Sequence, residues 1–258
     1  MRLILLLALF ASFLLTACSE STDDLSAYKG KTAAQIYSQG RANLLKGNYD
    51  SAAHDLTALD SLYPFGPYAR LGQLAIIYAD YMGGDANMTV ASADRYLQLY
   101  PRGPSADYAL YMRGLASFNM TGTWLQRKLN FDMSQRDLQN FKDSYGAFAR
   151  LAHWYPKSIY LPNAVLRMAY VRNLMAKHNL KLAEYYWNRN SYLAAFNRAS
   201  IVVKNFQGAP QVEPALAMMV KCDVKLGLLT EAKKTYNVLA VSYPDYADLK
   251  KLRQQVVG

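Results

Sequence analysis

The chain has 258 residues, of which 52% are apolar, so it has ample material for a hydrophobic core and disorder is disfavoured. It holds only two cysteines, which excludes a small fold stapled by disulfides, and its stability must come from burial. The formal net charge of +10 suits an acidic protein or an anionic lipid, or simply reflects a well-solvated surface. No long basic run and no nucleic-acid-binding motif occurs, so we expect no nucleic acid among its partners.

The N-terminal segment has the pattern of a secretory signal. Arg2 precedes an apolar run over residues 3–15, which is too short to cross a hydrocarbon core of about 30 Å. The run ends at Leu15-Thr16-Ala17-Cys18, which resembles the bacterial lipobox, where the cysteine is acylated and becomes the new N-terminus. We therefore predict a lipoprotein signal peptide over residues 1–17, then an acylated Cys18 and a tether over residues 18–30. The alternative is an ordinary signal peptide with an incidental cysteine.

Tyr-Pro pairs after the tether indicate a helical repeat. Their intervals scatter above the period of about 34 residues that is typical of tetratricopeptide repeats. Each pair is expected to end the second helix of a repeat, because a residue before proline is pushed out of the α region. The pairs are Tyr63-Pro64, Tyr100-Pro101, Tyr155-Pro156 and Tyr243-Pro244, and Phe206-Gln207 stands where a further pair is expected.

Register counted from the prolines places small residues where paired helices must approach closely. These residues are Gly40, Gly47, Ala52, Ala183, Ala195, Gly227 and Ala232. The predicted helix pairs are 32–46 with 49–63, 67–82 with 87–100, 104–120 with 135–155, 161–188 with 191–206, and 211–226 with 229–243, and a last turn covers 246–256.

The predicted fold class is all-α, a right-handed superhelix of about five tetratricopeptide-type helix pairs over residues 31–258. Two features depart from a regular repeat. An insertion over Thr121–Arg136 separates the helices of the third pair, and the helix at 161–188 is unusually long. Whether that helix breaks near His178-Asn179 stays open.

Motifs outside the repeat pattern resemble the BamD family of outer-membrane lipoproteins, which belong to the β-barrel assembly machinery. They follow one another in order along nearly the whole mature chain, and the insertion falls where the family has one. The motifs are the lipobox, Tyr63-Pro64-Phe65-Gly66-Pro67-Tyr68, Tyr111-Met112-Arg113-Gly114, Asp132-x3-Arg136-Asp137, Tyr155-Pro156-x-Ser158-x-Tyr160, Ala183-Glu184-Tyr185-Tyr186-x2-Arg189 and Ala194-Ala195-x-Asn197-Arg198.

The resemblance implies a location and a set of partners. Members of this family are lipid-anchored at the outer membrane and face the periplasm. The residue after Cys18 is a serine and not an aspartate, and by resemblance to lipoprotein sorting rules this favours the outer membrane over retention at the inner one. They bind the periplasmic domains of the barrel insertase and act with the other lipoproteins of the complex. They also receive unfolded outer-membrane proteins, whose C-terminal strand signal they recognise. The implied protein is not an enzyme.

The turn at residues 63–68 is the candidate substrate site, within an N-terminal half of about residues 31–120. Its prolines and glycine make it stiff, and stiffness lowers the entropic cost of presenting rings to a ligand. We expect Tyr63, Phe65 and Tyr68 to bind an extended strand that ends in an aromatic residue. The alternative is that these rings only pack the first repeat against the second.

The candidate partner-docking residues are Arg198, Asn197 and Arg189, within a C-terminal half of about residues 137–258. By the resemblance, Arg198 lies in the part that docks the insertase, and an arginine fork suits a carboxylate. The alternative is a solvated surface arginine, which contributes little.

No arrangement of residues points to catalysis, a metal or a cofactor. The histidines are isolated, no metal-ligand spacing or phosphate loop occurs, and Cys222 is expected to be a small buried hydrophobe. The function predicted from the sequence is therefore a non-enzymatic assembly lipoprotein. A generic tetratricopeptide scaffold for cell-wall synthesis or division is the second reading, and a lipid-anchored hydrolase is disfavoured for lack of a nucleophile with its base.

Overall fold

The computed structural model describes residues 25–120 and 138–257, and all the regular structure in these ranges is helical. The signal peptide, Cys18 and the insertion at Thr121–Arg136 lie outside the described residues. A short 3₁₀ turn at Ser26–Tyr28 precedes the α-helices. These are α1 Ala33–Lys46, α2 Tyr49–Leu62, α3 Pro67–Gly83, α4 Ala86–Leu99, α5 Ala106–Asn119, α6 Gln139–Trp154, α7 Leu161–Asn188, α8 Tyr192–Asn205, α9 Val212–Lys225, α10 Leu229–Ser242 and α11 Leu249–Val257.

The predicted class is confirmed, because helices adjacent in sequence pack side by side, as α1 does with α2, α5 with α6, α7 with α8 and α9 with α10. The first helix of the last pair, α9, also contacts α7, the first helix of the preceding pair, and α11. This is the stacking expected of a tetratricopeptide-type repeat. α7 is continuous from Leu161 to Asn188, since neither proline nor glycine follows Pro162 within it to interrupt the backbone ladder. Asn179, at the suspected break, donates from its side chain to the Met175 carbonyl one turn earlier.

Several small residues lie at close helix contacts, as the register predicts. Ala52, Ala183, Ala195 and Ala232 are all fully buried. A Cβ built on Gly40 would lie 2.7 Å from Leu56 Cγ, so only glycine lets α1 approach α2 here.

The close helix contacts predicted at Gly47 and Gly227 are wrong. Gly47 follows α1 with φ +78°, and Gly227 follows α9 with φ +74°. No atom lies within 4 Å of a Cβ built at either position, so neither glycine makes a close helix contact. Both are needed for the left-handed conformation that ends the first helix of a pair.

The chain forms two compact units, one up to Ser92 and the other from Ala93 onward. The functional halves predicted from the sequence, about 31–120 and 137–258, therefore do not coincide with these units. In the first unit α2 packs against both α1 and α3, and the core includes Ile36, Leu56 and Leu59. In the second unit the large core lies among α7 to α11 and is rich in alanine and valine.

The first unit also includes the end of the predicted tether. Tyr28 is only 3% exposed, and its hydroxyl donates to Asp55 Oδ1 at 2.6 Å and lies 2.9 Å from His54 Nδ1. Asp55 also accepts from Gln39 Nε2 at 2.6 Å and from Asn43 Nδ2 at 2.7 Å. A buried carboxylate so fully hydrogen-bonded fixes Tyr28 to α1 and α2. Residues 26–30, predicted to be tether, thus belong to the folded part.

Candidate functional site

The turn between α2 and α3 is shaped by its own sequence. α2 ends because Pro64 follows Tyr63, whose backbone leaves the helical region while its N–H still bonds to the Leu59 carbonyl at 2.8 Å. Gly66 adopts φ +100°, a conformation that glycine tolerates at no steric cost, and Pro67 then begins α3. The stiff turn predicted from the two prolines and the glycine is present.

The rings of this turn, predicted to act together, have different surroundings. Phe65 is 90% exposed. Tyr63 is 38% exposed, and its hydroxyl donates to the Lys31 carbonyl at 2.7 Å, which ties the turn to the residues before α1. The half-buried Tyr68 packs against the core of the first unit, with its ring centroid 5.6 Å from that of Tyr37. Phe65 is therefore the ring that is free to meet another molecule.

The helices on either side of the turn are joined by buried contacts. Gln73 Nε2 on α3 donates to Asp60 Oδ1 on α2 at 2.7 Å, and both side chains are buried. A Cβ built on Gly72 would lie 2.8 Å from Leu59 Cδ2, so the two helices approach closely. These contacts fix the backbone on both sides of Phe65, and a rigid turn loses less entropy on binding a ligand than a flexible one.

The predicted docking residues Asn197 and Arg198 lie on α8. Asn197 is exposed and shares a helix face with Leu193, which is 62% exposed one turn earlier. Arg198 is half-buried, and no acidic residue in the described ranges pairs with it. A half-buried arginine packs its stem against the protein and leaves its guanidinium accessible. This guanidinium is available for a carboxylate from another molecule.

Arg189 immediately follows α7 and has an aromatic neighbour. Its guanidinium carbon lies 4.4 Å from the centroid of the Tyr185 ring, a cation–π contact worth about 0.5–1 kcal/mol at an exposed site. Tyr185 is 48% exposed and Tyr186 is half-buried, and their rings meet edge to face at 5.4 Å. Arg189 is thus held at the surface by Tyr185. Neither tyrosine is fully buried, and Tyr185 is the more exposed of the two.

Two of the motifs quoted above meet in the second unit and have structural roles there. The Tyr111 ring stacks on Tyr160, with centroids 4.8 Å apart and planes 18° from parallel. Ser158 Oγ donates to Asp107 Oδ2 at 2.7 Å. These contacts join α5 to the segment that precedes α7, so the motifs stabilise the stacking of one helix pair on the next.

The described residues include no group of three or more histidines, cysteines or carboxylates close enough to hold a metal. Cys222 is fully buried, and burial raises the pKa of its thiol to about 12, which keeps it protonated and unreactive. The interpretation of Cys222 as a buried hydrophobe is confirmed. A search of the same ranges for a helix of sufficient length and hydropathy to span a bilayer finds none.

The stacked helix pairs define a helical-repeat protein. Its exposed aromatic turn and its arginine-bearing helix face are surfaces that suit the binding of other proteins. The chain belongs to the YfiO family of outer membrane lipoproteins, whose model matches residues 29–239. The resemblance seen in the sequence motifs is thereby confirmed at the level of the family.

Individual relatives match over most of their length and carry one name, outer membrane protein assembly factor BamD. The protein from Neisseria meningitidis serogroup A is 32% identical over 93% of this chain and 91% of its own. That from Vibrio cholerae is 31% identical over 91% of this chain and 96% of its own. That from Pasteurella multocida is 30% identical over 88% of this chain and 86% of its own.

Proposed function

We propose that this chain is a non-enzymatic component of the machinery that assembles β-barrel proteins in the outer membrane. In this role it is lipid-anchored through Cys18 and faces the periplasm. It binds the periplasmic domains of the barrel insertase, the other lipoproteins of the complex and unfolded outer-membrane proteins. The observation that carries the proposal is the match, over about nine tenths of the chain, to relatives named outer membrane protein assembly factor.

Purification of the chain from outer membranes in mild detergent tests this role. Recovery of the barrel insertase with the chain is the expected result. Recovery of cell-wall synthesis or division enzymes without the insertase would instead support a generic repeat scaffold.

Within this role, the turn at residues 63–68 receives the C-terminal strand of a nascent barrel protein. Phe65 is the anchor, because its ring is exposed on a turn that is fixed on both sides. Tyr63 and Tyr68 support it, the first through its hydrogen bond to the Lys31 carbonyl and the second through its packing on the core. An aromatic residue at the end of the strand would stack on Phe65 with offset or edge-to-face geometry.

Phe65→Ala is expected to weaken binding of a labelled barrel-type C-terminal peptide by roughly 5–30-fold, the cost of removing one aromatic anchor. Fluorescence anisotropy measures the affinity, and circular dichroism should show unchanged helicity because Phe65 makes no core contact. Leu45→Ala is the matched control, since Leu45 is also exposed, at 81%, but lies far from the turn. Lys31, which bonds to Tyr63 of the turn, precedes α1, whereas Leu45 lies near the other end of that helix, about 20 Å away. Equal affinities for the wild type and Phe65→Ala would place the peptide elsewhere.

The insertase docks on the α8 surface that presents Asn197 and Arg198, with Arg189 beyond the end of α7. Arg198 supplies the charge, because its guanidinium has no acidic partner in the described ranges. Leu193 and Asn197 supply an adjacent apolar and hydrogen-bonding contact on one helix face. A carboxylate of the insertase would be the complementary group.

Cys18→Ala is expected to release the protein from the membrane fraction, because a residue that carries several acyl chains anchors stably and an unmodified chain does not. Cell fractionation measures the release, and intact mass of the mature wild-type chain should show added acyl groups on Cys18. Cys222→Ala is the control and should remain at the membrane, since that thiol is buried. A wild-type chain of unmodified mass, or one that keeps its signal peptide, would contradict the anchor.

A further inference from the structure

A groove in the second unit is lined by basic side chains around a tryptophan. It has a volume of about 590 Å³ and is bordered by Trp187, Lys221, Val224, Lys225, Lys251 and Gln255. These residues come from the end of α7, the last turns of α9 and the middle of α11. α7 and α9 are the first helices of their pairs, and α11 follows the last pair and also contacts α9. In stacked helix pairs, such a row of helices forms an extended binding surface.

The lysines of this groove form no ion pair with any acidic residue in the described part of the chain. None of the groove's bordering residues is acidic, and none of the three ammonium groups has a hydrogen-bond or ion-pair partner among the described residues. Lys221 and Lys225 are also one turn apart on α9, a like-charge spacing that destabilises a helix slightly. The groove therefore attracts an anion, and an anion that enters it relieves the repulsion.

The nearest acidic residue along α9 does not line the groove. Asp223 is buried, and its burial together with the charge of Glu231 raises the pKa of its carboxyl to about 6, so this carboxyl is still mostly ionised at neutral pH. It is not among the residues that border the groove, whereas three lysines are. An anion in the groove therefore meets the lysines directly, whereas Asp223, which lies between Lys221 and Lys225 in the sequence of α9, is buried.

The floor of the groove is partly apolar. Trp187 is half-buried, with its ring centroid 5.1 Å from that of Tyr192, and Val224 is half-buried as well. A simple inorganic anion would leave this floor uncovered. A ligand that combines negative charge with an apolar side chain would cover it and bury additional apolar area.

We propose that this groove binds an acidic segment of a partner protein that carries an aliphatic or aromatic side chain. Carboxylates of the segment lie against Lys221, Lys225 and Lys251, and the apolar side chain packs on Trp187 and Val224. A concave site suits a chain segment better than a bilayer, because side chains that bind membranes project from a surface into the lipid, whereas Trp187 is half-buried in the groove. This site goes beyond the insertase-docking role of Arg198.

The test measures binding of a fluorescein-labelled acidic peptide, rich in Asp and Glu and containing one Phe, to the full-length chain. Lys225→Glu with Lys251→Glu should weaken binding about tenfold or more, because two attractions become repulsions. Lys233→Glu with Lys250→Glu is the matched control, since these lysines are also exposed, lie on α10 and α11, and do not border the groove. The control should change the affinity by less than about twofold.

Three further measurements test whether Trp187 contributes to binding, whether the site is independent of Arg198, and whether the lysines bind a protein segment or a lipid. Trp187→Ala should abolish the preference for the Phe-containing peptide over the same peptide with Ala in that position. The peptide affinity should be unchanged in Arg198→Glu, whether or not that variant keeps the insertase. Equal losses of peptide affinity in both lysine double variants would show that only net charge matters and would contradict the proposed site. Binding to vesicles of phosphatidylglycerol and phosphatidylethanolamine is measured as well. If the groove variant binds the peptide normally but no longer binds these vesicles, the lysines bind lipid and the proposal is wrong.

Discussion

Gly114→Ala is expected to lower the free energy of unfolding of the second unit by about 2 kcal/mol, although alanine favours a helix by about 1 kcal/mol over glycine. The reason is the Phe148 ring, which packs directly on the Gly114 backbone. A Cβ added to Gly114 would overlap three carbons of that ring, and Phe148 is fully buried. Thermal denaturation followed by circular dichroism should show the melting temperature falling by roughly 4–8 °C.

Gly146→Ala on α6 is the matched control for this substitution. Gly146 is an exposed helical glycine with no atom within 4 Å of a built Cβ, so alanine should gain its helix preference of about 1 kcal/mol without a clash. Phe148→Leu should cost less in the Gly114→Ala background than in the wild type, because the smaller side chain relieves the overlap. A melting temperature of Gly114→Ala at or above that of the wild type would show that α5 and α6 do not pack at this glycine.

Most of the helix layout could be predicted from the sequence because the signals that end these helices are local. Each Tyr-Pro pair follows the last residues of a helix, and proline pushes the residue before it out of the α region. Gly47 and Gly227 show the limit of counting along a repeat. Both glycines stand at repeat positions where small residues are expected. The position does not tell whether a glycine permits a close helix contact or a left-handed backbone, and both of these glycines adopt the left-handed backbone.

The candidate site could be predicted only in part, because exposure depends on contacts from distant segments. The sequence of the 63–68 turn predicts its stiffness, but it does not show that Tyr68 packs beside Tyr37 or that Tyr63 bonds to the Lys31 carbonyl. Phe65 is singled out only once these neighbours are known. The same holds for Tyr28, whose place in the folded part depends on the hydrogen bond that its hydroxyl donates to Asp55.

The lysine groove shows the same limit over longer separations. Lys221 and Lys225 lie one turn apart in sequence, which could have marked a basic face of α9. Trp187 and Lys251 are brought to that face only by the packing of α9 against α7 and α11. No local pattern in the sequence connects these three segments.

Arg198→Glu is expected to abolish copurification of the barrel insertase while leaving the thermal melt unchanged. In the proposed complex Arg198 pairs with a carboxylate of the insertase, and both charges lose water on docking. Breaking such a pair costs about 2–5 kcal/mol, because the remaining charge is left buried and unpaired, and reversal adds repulsion. Arg198→Lys should retain part of the binding, since lysine keeps the charge but lacks the fork that binds a carboxylate through two hydrogen bonds.

Lys204→Glu is the matched control for this docking prediction. Lys204 is exposed on the same helix α8, six positions after Arg198, which places the two side chains on different faces. Its reversal makes the same change in net charge and should leave copurification intact. A charge reversal of the acidic partner on the insertase should restore the complex with Arg198→Glu, which a general loss of stability would not allow. Copurification of Arg198→Glu at wild-type yield in moderate salt would show that Arg198 is a solvated surface residue, and Arg189 would be the next position to test.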